Sequence, residues 1–482
     1  MSIDRSRRDF LRRAGTAGVA LLVARHAAAV PAWVVGQTPA GAGDDAWAHA
    51  ASVLARIKPP VFPARDFDIT RFGAAGDGVL DCTGAIREAI AACQAAGGGR
   101  VVVPAGTFLT GAIHLKSGVN LHVTEKAVLR FSRDPKQYLP LVFTRWEGVE
   151  LMNYSAFIYA FEQQNIAVTG TGTLDGQAGE QYWWPWKGRS KTPGAVTQDR
   201  ARAKLIEMGE KRTPVAERVF GEGSCLRPNF IQPYRCTNVL IESVKVRNSP
   251  MWEIHPVLCT NVIVRNVDIL SHGPNNDGCD PESCKDVLIE GCTFDTGDDC
   301  IAIKSGRNED GRRLNVPAEN IIVRDCTMKD GHGGVVIGSE ISGGARYIFA
   351  ERCRMDSPQL DRALRIKSNS VRGGTIEHVY MRDVTVGQVA EAVVTVNFFY
   401  EEGDAGKFPP VVRDIEVRNV TSRKSQYGLL LRGYAHDPVT DVRVIDCTFD
   451  NVEKGDVLEA VRNIVLKNVR VNGKPTTETI SR

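Results

Sequence analysis

From about Asn165 onward the chain repeats one pattern: a polar residue, a β-branched residue, apolar and polar positions in alternation, then Asn, Cys or Asp and a second apolar pair. It is written as Asn238-Val-Leu-Ile-Glu-Ser-Val-Lys-Val, Asn261-Val-Ile-Val-Arg-Asn-Val-Asp-Ile, Asp286-Val-Leu-Ile-Glu-Gly-Cys-Thr-Phe and Asn320-Ile-Ile-Val-Arg-Asp-Cys-Thr-Met, with later copies from Asp414, Asp441 and Asn463. Successive copies stand roughly 22 to 27 residues apart, with longer gaps where loops intervene. Each holds two or three short strands between Asn, Gly or Asp turns, and none has enough apolar surface to fold alone. A leucine-rich repeat would need regular Leu and a helix-like segment in each unit, and a propeller would need longer four-stranded units. The pattern predicts an all-β fold, a single-stranded right-handed parallel β-helix whose coils stack about 4.8 Å apart.

Ahead of the ladder, Ala85, Ile86, Ala89, Ile90 and Cys93 trace a helical face over Thr83–Ala96, with Thr83 as cap and Gly97-Gly98-Gly99 as stop. This helix is expected to cover the open end of the solenoid, where strand edges would otherwise be unpaired. Gly97-Gly98-Gly99 is no phosphate loop, since no Gly-Lys-Ser/Thr follows.

Ser6-Arg7-Arg8-Asp9-Phe10-Leu11, the small apolar run Ala14 to Ala24, and Ala27-Ala28-Ala29 resemble a twin-arginine export signal over 1–29. A linker over 30–64 and a β-helix domain over 65–482 complete the expected organisation. The apolar run is too short to span a bilayer and no later segment approaches that length, so a periplasmic or secreted protein, off the membrane once the leader is removed, is expected. The formal charge of +3 comes from the leader, which carries +4 and leaves the remainder near −1, so nothing favours nucleic acid. The twelve cysteines include no Cys-x-x-Cys and sit mostly in apolar runs. Buried thiols are expected, with Cys279 and Cys284, or Cys292 and Cys300, as candidate local pairs.

Two acidic clusters beside turn glycines draw attention: Asn275-Asn276-Asp277-Gly278-Cys279-Asp280 and Thr296-Gly297-Asp298-Asp299-Cys300. Asp277 and Asp298 stand 21 residues apart, about one coil, which sets them on neighbouring rungs. Adjacent residues of a strand face opposite ways, but a bend at Gly297 would let Asp298 and Asp299 share a groove. Crowded carboxylates raise the proton affinity of at least one, which provides an acid beside ionised neighbours, as glycosidic hydrolysis requires. His332 follows Asp299 by 33 residues, Arg365 follows by another 33 and Tyr400 by a further 35. Arg365 and Lys367, two apart on a strand, share a face and can grip a carboxylate, which points to an acidic sugar polymer.

From about Phe67 to the C-terminal ladder these motifs resemble glycoside hydrolase family 28, the polygalacturonases and related pectin hydrolases. The Asn-x-Asp motif falls on Asn275 and Asp277, the Asp-Asp pair on Asp298 and Asp299, Gly-His-Gly on Gly331 to Gly333, and Arg-x-Lys on Arg365 and Lys367. The resemblance implies inverting hydrolysis of α-1,4-galacturonosyl linkages, with Asp298 as general acid, Asp277 and Asp299 activating water, and His332 supporting the acid. It also implies Arg365, Lys367, Asn275 and Tyr400 as substrate ligands, without metal or cofactor. Asn276 stands where the family usually has Thr, and the stretch from Gly333 to Ser339 is one residue longer than the common form.

Trp183-Trp184-Pro185-Trp186 opens an irregular insertion reaching about Cys225, either a sugar-stacking wall or a loop anchored by its indoles. Closure of one groove end by this insertion would make the enzyme act at chain ends, as the likeness of Asn276-Asp277-Gly278-Cys279-Asp280 to bacterial exo-acting members implies. The alternatives are a rhamnogalacturonan or xylogalacturonan hydrolase of the same family, a calcium-dependent pectate lyase, and a non-catalytic carbohydrate-binding β-helix.

Overall fold

Each copy of the pattern becomes a strand whose register is fixed by one column of branched side chains. Val239 pairs in parallel with Val262, then Val287, Ile321, Ile348, Val379, Ile415, Val442 and Ile464 follow up the stack. All nine are at most 2% exposed. The computed structural model describes residues 42–188 and 195–482. The expected leader over 1–29 lies outside the described residues, as do 30–41 and residues 189–194 of the insertion. The described chain is a right-handed parallel β-helix, as the repeat predicts.

The polar residue that opens each copy has a backbone reason. Asn238, Asn261, Asp286, Asn320, Asp414, Asp441 and Asn463 all have φ between 54° and 58°, a left-handed conformation that Asn and Asp tolerate best among residues bearing a side chain. So placed, their side chains bridge rungs: the Asn238 amide donates to Asn165 at 2.8 Å, Asn261 to Asn238 at 2.7 Å and Asn463 to Asp441 at 2.7 Å. Between the copies at Asn320 and Asp414 the structure has two further coils, Ala345–Glu351 and Thr375–Arg382, where the sequence shows only a long gap. There the left-handed position is held by Tyr347 and His378, whose rings stack 4.7 Å apart at 10°. A ring stack replaces the amide ladder, so the signature residue is missing while the coil is not.

Within the stretch expected as a linker, Ala42–Arg56 forms a helix, α1. Its Ala50, Val53 and Ile57 pack on Ala167, Leu240, Ile263, Leu288, Ile322, Phe349 and Tyr380. These seven form the outward column of the same sheet, each paired with the next. The next member of the column, the partner of Tyr380, is Glu416, a buried carboxylate paired with Arg418 at 2.9 Å and Arg443 at 3.0 Å. The N-terminal cap is α2, Thr83–Ala95, which buries Ile86, Ala89, Ile90 and Cys93. Thr83 is its first residue rather than its cap, because the Asp81 carboxylate accepts the Thr83 N–H at 2.9 Å. The far end closes with an antiparallel hairpin, Val461–Val471 and Lys474–Ile480.

All twelve cysteines are free and buried, so neither Cys279 with Cys284 nor Cys292 with Cys300 is bonded. Cys236, Cys259 and Cys284 stack between rungs instead: the Cys236 N–H points at Cys259 Sγ at 3.3 Å and the Cys259 N–H at Cys284 Sγ at 3.4 Å.

A second ladder carries the candidate residues. It climbs through Ile231–Tyr234, Ile254 and Cys279 into Ile301–Ile303, Val335–Ile337, Arg362–Lys367 and Ala392–Asn397.

Candidate active site

Cys279 pairs with Ile301 and Ile301 with Val335, so Asp277, Asp299 and Gly333, each two residues earlier, fall on consecutive rungs. Asp298 and His332 form the neighbouring column, joined by the His332 N–H donating to the Asp298 carbonyl at 3.1 Å. The bend at Gly297 is required by contact: a Cβ there would lie 2.4 Å from the Gly273 carbonyl oxygen. The bend turns both aspartates to one side, and an oxygen from each of Asp277, Asp298 and Asp299 lies within 4.8 Å of the other two.

Each carboxylate has a cation of its own. His332 Nδ1 lies 2.9 Å from Asp298 Oδ1. Lys367 Nζ donates to Asp299 Oδ2 at 2.6 Å and Arg365 Nη1 to Oδ1 at 3.2 Å. Lys304 Nζ is 3.5 Å from Asp277 Oδ2 and also reaches Asp280 at 3.7 Å and Glu340 at 3.5 Å. Lys304 and Lys367 follow Ile303 and Ile366, which are rung partners through Ile337, so both ammonium groups rise from one column. Trp252, nearly buried, covers the Lys304 ammonium at 4.4 Å from its ring centre.

Protonation follows from these contacts. Burial raises the pKa of Asp277, the Asp298 charge raises it further, and Lys304 offsets only part of this. Burial also works against ionisation of Asp298, but the hydrogen bond and charge of His332, with Lys367 and Lys304, hold it below the usual carboxylate range. His332 moves the opposite way, raised chiefly by its bond to Asp298. One proton thus belongs to the Asp298–His332 pair, and Lys304 is the charge that favours ionisation of Asp277 against burial and Asp298.

The remaining expected residues are placed less simply. Asn275 lines the cleft while its side-chain oxygen accepts from Arg227 at 2.7 Å. Arg365 and Lys367 do share a face and do grip a carboxylate, and in this structure it is that of Asp299. Tyr400 is not the rung partner of Arg365, which is Thr395; it lies beyond the strand and its ring comes back to 5.7 Å from the Arg365 guanidinium carbon and 5.3 Å from Lys367 Nζ. Asn276, the departure from Thr, is wholly buried: its oxygen accepts from Ser271 at 2.6 Å and Gly273 N–H at 2.7 Å, and its amide donates to Ser249 and Met251 carbonyls at 3.0 and 3.1 Å. It staples the loop that aims Asp277.

Sequence reading missed Lys304, Trp252, Glu340 and Glu147, the last in the turn between the antiparallel strands Val142–Trp146 and Val149–Asn153; all line the cleft with Lys187 and Arg202 of the insertion. Lys304 had a signal, a lysine one coil beyond Asp280 and five residues past the Asp pair. The others had none, because their positions depend on how separate loops meet. The tryptophans resolve as anchors: Trp183 is buried against Tyr138, Phe157 and Trp186, and Trp184 donates to the Ser249 carbonyl at 2.9 Å. Two clusters among the described residues meet the donor spacing of a cation, the three aspartates and His272 with Asp295 and Asp330. In the first, a metal would have to displace the protein cations already there.

A groove along stacked coils, with paired carboxylates and a carboxylate-bound imidazole, defines a carbohydrate-cleaving acid–base enzyme on a β-helix. The chain belongs to the glycosyl hydrolases family 28, whose model matches residues 221–465. A model described as rhamnogalacturonase A/epimerase, pectate lyase-like, matches 67–122. The chain is 46% identical to a hyperthermoactive exopolygalacturonase from Thermotoga maritima, whose crystal structure superposes with a TM-score of 0.88 over 90% of this chain and 98% of that one. It is 28% identical to a probable polygalacturonase of Vitis vinifera, over 80% of this chain and 74% of that protein. It is 27% identical to an exo-poly-alpha-D-galacturonosidase of Dickeya chrysanthemi, over 74% and 62% respectively. Membership makes the protein a glycoside hydrolase; the lyase and the non-catalytic binding readings fall away.

Proposed function

We propose that this enzyme hydrolyses α-1,4-galacturonosyl linkages of pectic galacturonan, acting at chain ends. The observation that carries the proposal is the cluster of Asp277, Asp298 and Asp299 within 4.8 Å, set among Arg365, Lys367 and His332. The 46% identity to an exopolygalacturonase supports both the substrate and the chain-end mode.

The proton for the leaving oxygen comes from the Asp298–His332 pair. An ionised Asp298 beside imidazolium and a protonated Asp298 beside neutral imidazole hold the same number of protons, separated by one hydrogen bond of 2.9 Å. A sugar that fills the cleft expels water, which removes solvation from the charge-separated form and favours the neutral one. Asp298 then protonates the glycosidic oxygen as its bond to the anomeric carbon breaks. Water held by Asp277 and Asp299 bonds to that carbon and gives up its proton to them. Inverting sites with two carboxylates keep them about 6.5–9.5 Å apart to admit water between acid and base. In the tighter cluster here, two carboxylates share the water and the third serves the leaving group. Arg365, Lys367, Tyr400 and Asn275 hold the galacturonate, Arg365 and Lys367 being divided between substrate and Asp299. The leader-like start of the chain supports export to the periplasm or beyond.

The test is a product time course on polygalacturonate and on rhamnogalacturonan and xylogalacturonan fragments, with the anomer of the first product read by proton NMR. The expected result is early release of short products from polygalacturonate, in the β configuration. A ladder of intermediate lengths would refute chain-end action, α product would refute inversion, and cleavage confined to the decorated polymers would refute the substrate. Asp299→Asn is expected to lower kcat by about 1,000-fold.

A further inference from the structure

Four cations line the cleft: Lys187, Arg202, Lys304 and Lys367. Three of them already face carboxylates of the protein, Arg202 with Glu147 at 2.6 Å, Lys304 with Asp277 at 3.5 Å and Lys367 with Asp299 at 2.6 Å. Lys187 has no ion pair or hydrogen bond with any described residue. Its position is nevertheless fixed. It ends the short helix Trp184–Lys187, which is pinned below by buried Trp183 and by the Trp184 bond to Ser249. Trp184 lies flat on Gly273, where a Cβ would meet the indole at 2.2 Å, so this segment packs on the loop that presents Asn275 and Asp277. The carbonyl of Trp186, next to Lys187, accepts the Gln198 N–H at 2.8 Å.

Half-burial removes part of the solvation of the Lys187 ammonium without supplying a directly paired or hydrogen-bonded anion in return. Its pKa is lowered by burial, with Arg227 and Arg202 adding to the depression and the more distant charges of Glu147 and Asp298 only partly opposing it. An unmatched, partly desolvated cation on the wall of an enzyme cleft gains from a ligand that brings a carboxylate.

We propose that Lys187 is a specificity-determining residue that receives the carboxylate of the terminal galacturonate at the insertion end of the cleft. Chain-end selection then includes a charge contribution from this wall of the cleft. This rests on the galacturonan-hydrolase reading above. It divides the work among the cations: Arg365 and Lys367 are shared with Asp299, and Lys187 is committed to substrate alone.

The experiment compares wild type, Lys187→Met and Lys187→Arg on galacturonate oligomers of two to six residues, unmodified or methyl-esterified at one terminal residue. Wild type is expected to disfavour one of the two terminal esters by roughly 10-fold to 100-fold in kcat/KM, the value of one charge-assisted contact. Lys187→Met should raise KM for the unmodified oligomer by the same factor, with little change in kcat, and lose the discrimination; Lys187→Arg should keep most of it. The ratio between two substrates is internal to each variant and does not depend on how much of it folds. Equal discrimination by wild type and Lys187→Met would overturn the inference while leaving hydrolysis of galacturonan intact. Failure of wild type to cleave any oligomer would overturn the functional reading itself.

Discussion

Lys304→Met removes the cation that lets Asp277 ionise. The ammonium lies 3.5 Å from Asp277 Oδ2, and at an effective dielectric of about 20 two unit charges at that distance attract by about 5 kcal/mol. Asp280 and Glu340 share the same ammonium at 3.7 and 3.5 Å, so about half of that is assigned to Asp277. That half, ~2.5 kcal/mol, is a factor on the order of 100 in the ionisation equilibrium. The sign is fixed by the cluster: burial and Asp298 already raise Asp277, Lys304 opposes them, and its removal moves Asp277 further up. If Asp277 must be ionised to hold the attacking water, the acidic limb of kcat/KM shifts to higher pH. At mildly acidic pH the rate then falls about 100-fold, and it recovers as pH rises. Folding also suffers, by about 3–5 kcal/mol, because three carboxylates lose a common buried partner. The assay is release of reducing ends from polygalacturonate across pH at a temperature where circular dichroism shows the variant folded, with Lys304→Arg as the charge-retaining control. An acidic limb coinciding with wild type in a folded Lys304→Met would refute this role for Lys304.

Three further outcomes are expected. The raised pKa of His332 keeps the acid proton in place above the ordinary histidine range, so activity should fall only as pH rises through that raised value. By the same sign, the stability that the raised His332 contributes is full at pH below the unfolded histidine value of about 6.5 and is lost above the folded one, while the part from the depressed Asp298 is lost as pH falls through the acid range; His332→Gln should move the basic limb down and lower kcat about 100-fold, and an unmoved limb would contradict it. Gly333→Ala would place a Cβ 2.5 Å from Val336 Cγ2 and 3.5 Å from Asp299 Oδ1, costing about 1–3 kcal/mol and reducing kcat; wild-type melting and turnover would show that this contact does not matter. Val53→Asp puts a charge at a fully buried position under α1, on the sheet that does not carry the site, so it should cost about 3 kcal/mol or more in thermal unfolding with kcat unchanged below the transition.

How far the coils were legible depended on what filled the left-handed position. Where Asn or Asp stands, as at Asn238, Asn261 or Asp441, a local backbone need and a rung-to-rung hydrogen bond fall on the same residue, and the sequence displays both. At Tyr347 and His378 the same φ is held by rings that stack, with His49 of α1 packed at a tilt against Tyr347, so those coils depend on partners distant in sequence. The cover over the first sheet did leave a trace. Val-Leu-Ile, Val-Ile-Val and Ile-Ile-Val are apolar at three successive positions, which alternation with one wet face does not permit, and the middle member of each is the residue under α1.

The site divides along the same line. Asp277, Asp298, Asp299, His332, Arg365 and Lys367 are spaced by the coil, and coil spacing is a property of the chain, so their meeting followed from counting residues. Tyr400 reaches the cleft by a loop that returns, so its place beside Arg365 and Lys367 does not follow from counting coils. What no spacing conveys is the charge state. Three aspartates of identical composition differ because one faces an imidazole, one faces Lys367 and Arg365, and one faces an ammonium it must share with Asp280 and Glu340. Which of them holds a proton is decided by those partners and by burial, so the chemistry was readable as a set of residue types, while its direction was set only when the loops around the coils closed over them.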